Sequence, residues 1–500
     1  MNRSNDGSHP PSSVKICVPV CRPDIGALRS VEGADFIELR LDCLESDPNN
    51  LTGILRNISV PVILTYRPAE QGGHRQLSRE ERLRFWNHVA PRGDNVWWDV
   101  EGDLVHELSP DWSHVIVSRH DFDGVPDHLN EIYKQLAATP AHVIKLAFQA
   151  HDVTDCISAF QLLEHARREG REIIPIAMGN AGIATRILGP ARGAFLTYGS
   201  LDDESATAPG QVTARNLRSL YRLDEIDHDT MVCGLIGLPV MHSVSPQIHN
   251  GWFAAEGLNG VYLPFEVKDV DSFIRRMVHP YTRELSWSLR GLSVTAPHKQ
   301  TVMKHLDWLN PAAQEIGAVN TIVIKRDRLL GFNTDATGFI APLVGKFESW
   351  HGRRAAIIGA GGAARAAIWI LQKLNTVVTI FARNVDKARP LADAFEVACK
   401  PLESATFQDY DLVVNTTPLG SGAYINESPV TAEQLSGVRC VYDLIYNPAD
   451  TRFLREARQA GCDTIGGIEM LAAQAQIQFE LWTGRRPNTD LPVQGPSASR

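Results

Sequence analysis

Lys145 stands inside an otherwise apolar run, VIKLAF, and His120 stands one apolar run earlier, in SRHDF. A lysine on an inward strand loses hydration, which favours its neutral amine and readies it to attack a carbonyl. A histidine beside it can shuttle a proton, and the two together could remove a proton next to a ketone. A lysine paired with Glu38 or Glu101 is the purely structural alternative. A second constellation runs from Arg353 to Trp369, RRAAIIGAGGAARAAIW. There an apolar strand enters a glycine-rich turn and then an alanine-rich helix. Gly359 allows the turn, Gly361 lets backbone approach a pyrophosphate, and the helix N-terminus favours the anion. After the next apolar run, Thr376 to Ala382, Arg383 occupies the place where an NAD-binding chain usually carries an acid. An arginine there suits a 2′-phosphate and hence NADP. A third constellation is HSVSPQIHN, where Ser243, Ser245 and free N–H groups at a helix start could hold a carboxylate; an ordinary N-cap reads the same way. Asp335, after an Asn-Thr pair at the end of a strand-like run, is either a proton-transfer carboxylate or a cap.

Elements must position these groups. Between Lys15 and Ser200 lie eight apolar runs: KICVPVC, FIELRLD, VILTY, NVWWDVE, HVIVSRHD, HVIKLAF, IIPIAM and AFLTYGS. Helix-compatible segments such as Ser78 to Val89 and Thr154 to Glu169 separate them, the alternation expected of parallel strands with crossover helices. Eight units suggest an α/β fold closed as a (β/α)₈ barrel, whose site lies at the carboxyl ends of the strands. Glu38, Arg40, Arg67, Asp99, Glu101, His120 and Lys145 punctuate the runs near such ends. The polar segment Tyr221 to Thr230 reads as a connector with too little apolar content to be core, so the two halves are expected to be separable. Further on, VVN ends a strand at Asn415 beside TTPLG, and GGIEMLAAQAQIQFELW reads as a helix returning to the first lobe of the second half, with Met470 as core filler and Gln474 as the better site residue.

Five hundred residues imply two to four domains, and a net charge of -9 without a basic tract argues against nucleic acid or an anionic membrane as partner. Small molecules are the expected partners. The eight cysteines include no zinc-like CxxC pair, so they read as reduced core residues; Cys17 and Cys21 are the nearest pair and no metal is expected. Residues 1 to 13 lack the apolar core of a signal peptide, no segment reaches a membrane span, and a cytoplasmic protein is expected. The last dozen residues read as a disordered tail.

IELRLD, TYRP with GG following, SRHDF, the VIKLAF lysine and ATAPGQ together resemble type I 3-dehydroquinate dehydratase, over residues 14–222. The resemblance implies that Lys145 forms an imine with the substrate ketone and that His120 moves the neighbouring proton. It also implies that Glu38, Arg40, Arg67, Arg186, Thr207 and Gln211 orient the substrate, with Arg186 on its carboxylate. Thr207 replaces the usual serine, and Gln71 stands before Gly72 where the family usually has glutamate. GLSVTAPHK, GAVNT, GFNTDATGF, GAGGAAR, VVNTTPLG and GGIEMLAAQA resemble shikimate dehydrogenase. The implied layout is a substrate-binding domain at 231–338, completed by 468–486, and an NADP-binding Rossmann domain at 339–467. Ser243, Ser245, Thr295 and Tyr446 would hold a carboxylate, Asn320, Asp335 and Gln474 ring hydroxyls, and Lys299 with Asp335 would form the catalytic pair. Gly359, Ala360, Gly361, Gly362, Ala363, Arg383, Asn384, Lys387, Thr416 and Gly467 would bind NADP. Ser293 and Ala296 replace the usual Asn and Ile, read as a packing change. The resulting expectation is a bifunctional enzyme that turns 3-dehydroquinate into 3-dehydroshikimate and then into shikimate. A sensor of pathway intermediates and a quinate-preferring dehydrogenase are the competing readings.

Overall fold

The structure is a computed structural model that describes residues 14–21, 31–44, 51–91, 93–202 and 210–488. Thr207, most of the ATAPGQ motif, the N-terminal segment 1–13 and the expected tail lie outside the described residues.

Each of the eight N-terminal apolar runs contains one strand. They are β1 (Ile16–Val20), β2 (Phe36–Arg40), β3 (Val62–Thr65), β4 (Val96–Glu101), β5 (Val115–Asp121), β6 (Val143–Gln149), β7 (Glu172–Met178) and β8 (Thr197–Tyr198). All ladders between them are parallel, in the order β7-β6-β5-β4-β3-β2-β1-β8. The ring is nearly closed. β8 is only two residues long, and the Phe195 N–H to the Ile173 carbonyl, 2.9 Å, links its approach to β7.

Side chains of a strand alternate faces, so residues two apart share the barrel interior. Cys17, Phe36, Ile63, Ile116, Val143 and Ile174 form an apolar inner cluster. Two residues further along their strands stand Glu38, Thr65, Ser118 and Lys145, all buried. Adding two again gives Arg40, Arg67 and His120. The period of the strand thus stacks an apolar floor, a polar layer and a charged rim, with the rim at the carboxyl end.

The second half contains two sheets. The first has β9 (Met231–Gly237), β10 (Gly260–Glu266), β11 (Leu289–Val294), β12 (Trp308–Leu309), β13 (Thr321–Lys325) and β14 (Arg328–Phe332) in the order β10-β9-β11-β13-β14-β12. It is mixed: β13 runs antiparallel to both β11 and β14. The other sheet has β15 (Arg354–Ile358), β16 (Val377–Ala382), β17 (Ala398–Pro401), β18 (Leu412–Asn415), β19 (Cys440–Asp443) and β20 (Asp463–Ile465). It is wholly parallel in the order β17-β16-β15-β18-β19-β20. Numbered from its own first strand, this is 3-2-1-4-5-6, the doubly wound order whose switch point beside the first strand receives a dinucleotide. The helix Gly467–Thr483 leaves this sheet and packs on Asp335–Ile340 and on β11 and β13.

Two sequence expectations need correction. The segment 221–230 is not an inert connector: Tyr221, Leu223 and Ile226 are buried in an apolar cluster that runs on into Val232, Val261 and Leu263 of the second half. Arg222 donates to the Gly260 carbonyl at 2.9 Å, and Arg192 to the Ser286 carbonyl at 2.7 Å. A polar average hid three apolar side chains spaced to pack on both sides. Leu223→Ala should therefore cost about 2–5 kcal/mol and lower the thermal-inactivation temperature of both activities together; loss of neither would restore the inert connector. Nor are all cysteines reduced. Cys17, Cys156, Cys233, Cys399, Cys440 and Cys462 are free, but Cys21 and Cys43 form a disulfide. Far apart in sequence, they follow the ends of neighbouring parallel strands, and only the fold brings them together.

Candidate active sites

The barrel site lies over the polar layer, in a pocket lined by Glu38, Arg40, Arg67, Gln71, His120, Lys145, Arg186, Tyr198 and Gln211. Lys145 Nζ donates to Asp99 Oδ2 at 2.8 Å and to the Tyr198 hydroxyl at 2.9 Å. Neither partner anticipated from sequence is used. Glu38 accepts from Thr65 Oγ1 at 2.6 Å, and Glu101 pairs with Arg82 at 3.2 Å. Burial pushes the Glu101 carboxyl up to about 7, against the pull of Arg67. Asp99 is fully enclosed; burial alone would raise its pKa, but the Arg67 and Lys145 charges hold it well below the usual carboxylate range.

Arg67 Nη1 donates to the His120 ring, 2.9 Å from Nε2. Burial first, then the Arg67 and Lys145 charges, pushes the imidazole well below its ordinary pKa, so it is neutral at neutral pH and can accept a proton. Gln71 meets the strand rather than the ring: its side-chain carbonyl accepts from the His120 backbone N–H at 3.0 Å. Arg40 is braced by Asp42 through two hydrogen bonds, 2.9 and 2.7 Å, and by the Gly72 carbonyl at 3.1 Å. Arg186 differs from both. It is buried, has no ion pair among the described residues, and burial lowers its pKa to about 10. A buried guanidinium lining a pocket, without a counter-ion among the described residues, has the chemistry to receive an anion.

The second site is a cavity of about 600 Å³ between the two sheets of the C-terminal half. Lys299 Nζ lies 2.5 Å from Asp335 Oδ2. Asn320 Nδ2 donates to the other oxygen of Asp335 at 2.8 Å, to Thr334 Oγ1 at 2.9 Å and to Gln474 Oε1 at 3.4 Å. Asp335 begins the helix Asp335–Ile340. Ser243, Ser245, Thr295 and Tyr446 line the same cavity. The Ser243 hydroxyl donates to that of Ser245 at 3.0 Å and accepts the Ser245 N–H at 3.1 Å. These two serines therefore make both a turn and a polar wall.

Ser293 is more than a packing change. Tyr262 Oη donates to Ser293 Oγ at 2.8 Å, which donates to Gln478 Oε1 at 2.8 Å. Gln478 donates in turn to Thr321 Oγ1 at 2.9 Å and the Asn320 carbonyl at 3.2 Å, fixing the residue whose side-chain amide donates to Asp335.

At the nucleotide edge Gly359 has φ +112°, a left-handed conformation that requires glycine, and a Cβ there would meet Thr416 Oγ1 at 2.5 Å. The Thr416 hydroxyl is anchored on the Ile358 carbonyl at 2.8 Å. Gly361 caps the helix Gly362–Lys373 and faces open space, leaving room for a group at its free N–H donors. Ala360, Gly362 and Ala363 continue this turn. Arg383 is exposed just past β16 and forms no ion pair among the described residues; Lys387 is likewise exposed and unpaired one turn into the following helix. Asn384 caps that helix, accepting the Lys387 N–H at 3.0 Å. Gly467 opens the long helix and lines the cavity. The donor set and the open turn fit a dinucleotide phosphate, and the two exposed cations fit a 2′-phosphate.

Tyr198 and Gln478 are polar residues of these sites that the sequence does not single out, and Asp99 is one it marks without giving it a role. Asp99 was visible as a charge in an apolar run, and Gln478 lies one helical turn from Gln474. Tyr198 gave no signal, because a tyrosine in a strand is ordinary.

Fold and geometry define a chain with two catalytic-type centres: a barrel with a buried, ion-paired lysine, and a two-lobed unit with a dinucleotide-type sheet. Profile comparison finds type I 3-dehydroquinase at residues 16–228 and the shikimate dehydrogenase substrate binding domain at 235–322. It also finds shikimate / quinate 5-dehydrogenase at 344–436 and the shikimate 5′-dehydrogenase C-terminal domain at 467–491. The bifunctional 3-dehydroquinate dehydratase/shikimate dehydrogenase of Arabidopsis thaliana, a chloroplastic protein, is 32% identical over 94% of this chain and 82% of its own. NADP(+)-type shikimate dehydrogenases of Caldanaerobacter subterraneus and Carboxydothermus hydrogenoformans are each 40% identical over 52% of this chain, covering 94% and 95% of theirs. The chain belongs to the bifunctional 3-dehydroquinate dehydratase/shikimate dehydrogenase family.

Proposed function

We propose that the barrel dehydrates 3-dehydroquinate to 3-dehydroshikimate and that the two-lobed half reduces this product to shikimate with NADPH. The observation that carries the reading is the presence in one chain of two complete proton-transfer pairs in pockets, Lys145 with His120 and Lys299 with Asp335.

In the barrel, Lys145 passes a proton to His120 and its freed amine adds to the substrate ketone; His120 returns that proton to the departing hydroxyl, so water leaves and a protonated imine remains. His120, neutral in its pocket, takes the proton from the adjacent carbon. The electron pair expels the hydroxyl one carbon further on, which His120 protonates, and water then hydrolyses the imine to free Lys145. Asp99 and Tyr198 hold Nζ in place between turnovers. Arg186 takes the substrate carboxylate, while Glu38, Arg40, Arg67 and Gln211 orient the hydroxyl face; Thr207 is assigned with them.

In the second half, Ser243, Ser245, Thr295 and Tyr446 receive the carboxylate, and Asn320, Asp335 and Gln474 the ring hydroxyls. Lys299 donates a proton to the oxygen of the ketone as it becomes an alkoxide, and Asp335 keeps the ammonium in position. NADPH, when bound, supplies the hydride. Gly359, Ala360, Gly361, Gly362, Ala363 and Thr416 shape the phosphate turn, Arg383, Asn384 and Lys387 surround the 2′-phosphate, and Gly467 borders the nicotinamide side. Domain limits at 14–222, 231–338 with 468–486, and 339–467 go with this assignment. The acidic charge of -9 supports work on small molecules without nucleic acid. No helix among the described residues is long and apolar enough to cross a membrane.

The test is one coupled assay: dehydroquinate with NADPH, followed at the nicotinamide band, with shikimate as the end product. No NADPH oxidation from dehydroquinate would sink the two-step reading, and faster turnover of quinate than shikimate with NADP would reassign the second half. The cofactor assignment carries its own prediction. A charge-assisted contact is worth about 1.5–3 kcal/mol, so Arg383→Ala should weaken NADPH by roughly ten- to a hundred-fold and NADH far less. Equal losses in the two Kd values would place Arg383 away from the 2′-phosphate.

A further inference from the structure

Cys21, just past β1, and Cys43, just past β2, bring their sulfurs together with a Cα–Cα distance of 5.3 Å. The imidazole of His74 completes a group of three ligand atoms that lie within 4.8 Å of one another. Of the six free cysteines, five are buried, whereas Cys21 and Cys43 are half-buried and His74 is exposed, so a solute can reach this cluster. Neither proposed reaction uses these three side chains.

We propose that Cys21, Cys43 and His74 form a redox-gated cation site, which takes a soft divalent metal of the zinc class when the disulfide is reduced and excludes it when the disulfide is closed. The chemistry balances. Two equivalents of a small thiol reduce the bridge, leaving two protein thiols and one small-molecule disulfide. Cation binding then displaces the two thiol protons, and His74 enters as the neutral imidazole. Two thiolates and one imidazole suit zinc and not magnesium or calcium, which demand oxygen ligands. Zinc to sulfur bonds of about 2.3 Å require the sulfurs to part to roughly 3.7 Å. Cα atoms 5.3 Å apart allow this by side-chain rotation. The fourth position stays open to water.

The cluster is tied to the dehydratase pocket through Asp42. The His74 backbone N–H donates to Asp42 Oδ2 at 3.0 Å. Asp42 in turn grips Arg40 with both oxygens, and Arg40 also holds the Gly72 carbonyl, two residues before His74. Metal, disulfide and open dithiol therefore set three different tensions on the loop that braces Arg40. The cavity of the second half has no residue in this network.

The experiment uses the full chain, reduced with a phosphine, stripped with a chelator and titrated with zinc against a chromophoric competitor. One zinc per chain is expected. Cys21→Ser or Cys43→Ser should weaken binding by about a hundred-fold or more and His74→Gln by at least roughly ten-fold. The chain oxidised with a small-molecule disulfide should take none. Residual dehydration and the circular dichroism spectrum of each variant report that its barrel is folded. Zinc loading should change KM for dehydroquinate and leave KM for shikimate unmoved. A reduced chain that takes no zinc, or a Cys21→Ser/Cys43→Ser double variant that takes as much as the parent, overturns the site. Uptake with both KM values unmoved overturns its link to Arg40. The zinc titration does not depend on either activity, so its failure is distinguishable from failure of the proposed function.

Discussion

Lys145→Ala is expected to remove dehydration by on the order of 10⁴-fold or more in kcat, and to leave shikimate oxidation within about twofold of the parent. The first figure follows from covalent chemistry: without Nζ there is no imine to acidify the neighbouring carbon, and among the described residues no side chain lining the pocket supplies a second amine. The second follows from the fold, since among the described residues the barrel cavity and the cleft between the other two sheets share none of their lining. The variant leaves Asp99 paired with Arg67 at 2.8 Å, so the buried carboxylate keeps a partner and collapse of the barrel is not expected. Surviving dehydrogenase activity in the same molecule is the internal control for folding. Borohydride added with substrate should fix one ligand on the parent at Lys145, read by peptide mass mapping, and none on Lys145→Ala. Normal dehydration without an adduct on Lys145 would require a route that does not pass through an imine.

The same residue shows what a sequence can and cannot say. Parallel strands covered on both faces read as continuous apolar runs, so all eight strands of the barrel were visible, and a charged residue inside a run stood out against its neighbours. Lys145 and Asp99 were both found this way. That they meet each other was not visible, because β4 and β6 are not adjacent and only curvature across the barrel brings their inward side chains together. The Cys21–Cys43 bridge is hidden for a related reason: 22 residues separate the two in sequence, and Cys17, nearer to Cys21, lies in the barrel floor three residues before the end of β1. In the C-terminal half the glycine turn and the returning helix are legible from local pattern, whereas nothing in the local sequence singles out Gln478. Its role depends on Ser293, which arrives from β11. The connector was misread because its charged residues outnumber three apolar ones, although burial is decided by where side chains point and not by average polarity.

Lys299→Ala is expected to lower kcat for reduction of 3-dehydroshikimate by about 10²–10⁴-fold, with a small change in KM and no change in dehydration. Hydride arriving at a ketone carbon pushes charge onto the oxygen, and in a closed cleft that charge needs a proton or a fixed cation. Lys299 Nζ, 2.5 Å from Asp335 Oδ2 and lining the cavity, is positioned to supply either. Asp335→Asn should behave differently. It keeps the shape but loses the charge that holds the ammonium and an acceptor for a ring hydroxyl, so kcat should fall and KM rise together. Asn320 sharpens the contrast: its amide donates to Asp335 at 2.8 Å, and with asparagine at 335 one of the two facing amides must turn or lose its partner. Steady-state kinetics in both directions, with NADPH and dehydroshikimate and with NADP and shikimate, separate the two effects. If Lys299→Ala keeps kcat within about tenfold of the parent, the proton donor lies elsewhere in the cleft. Equal, KM-only losses in both variants would make the pair a substrate clamp without a part in proton transfer.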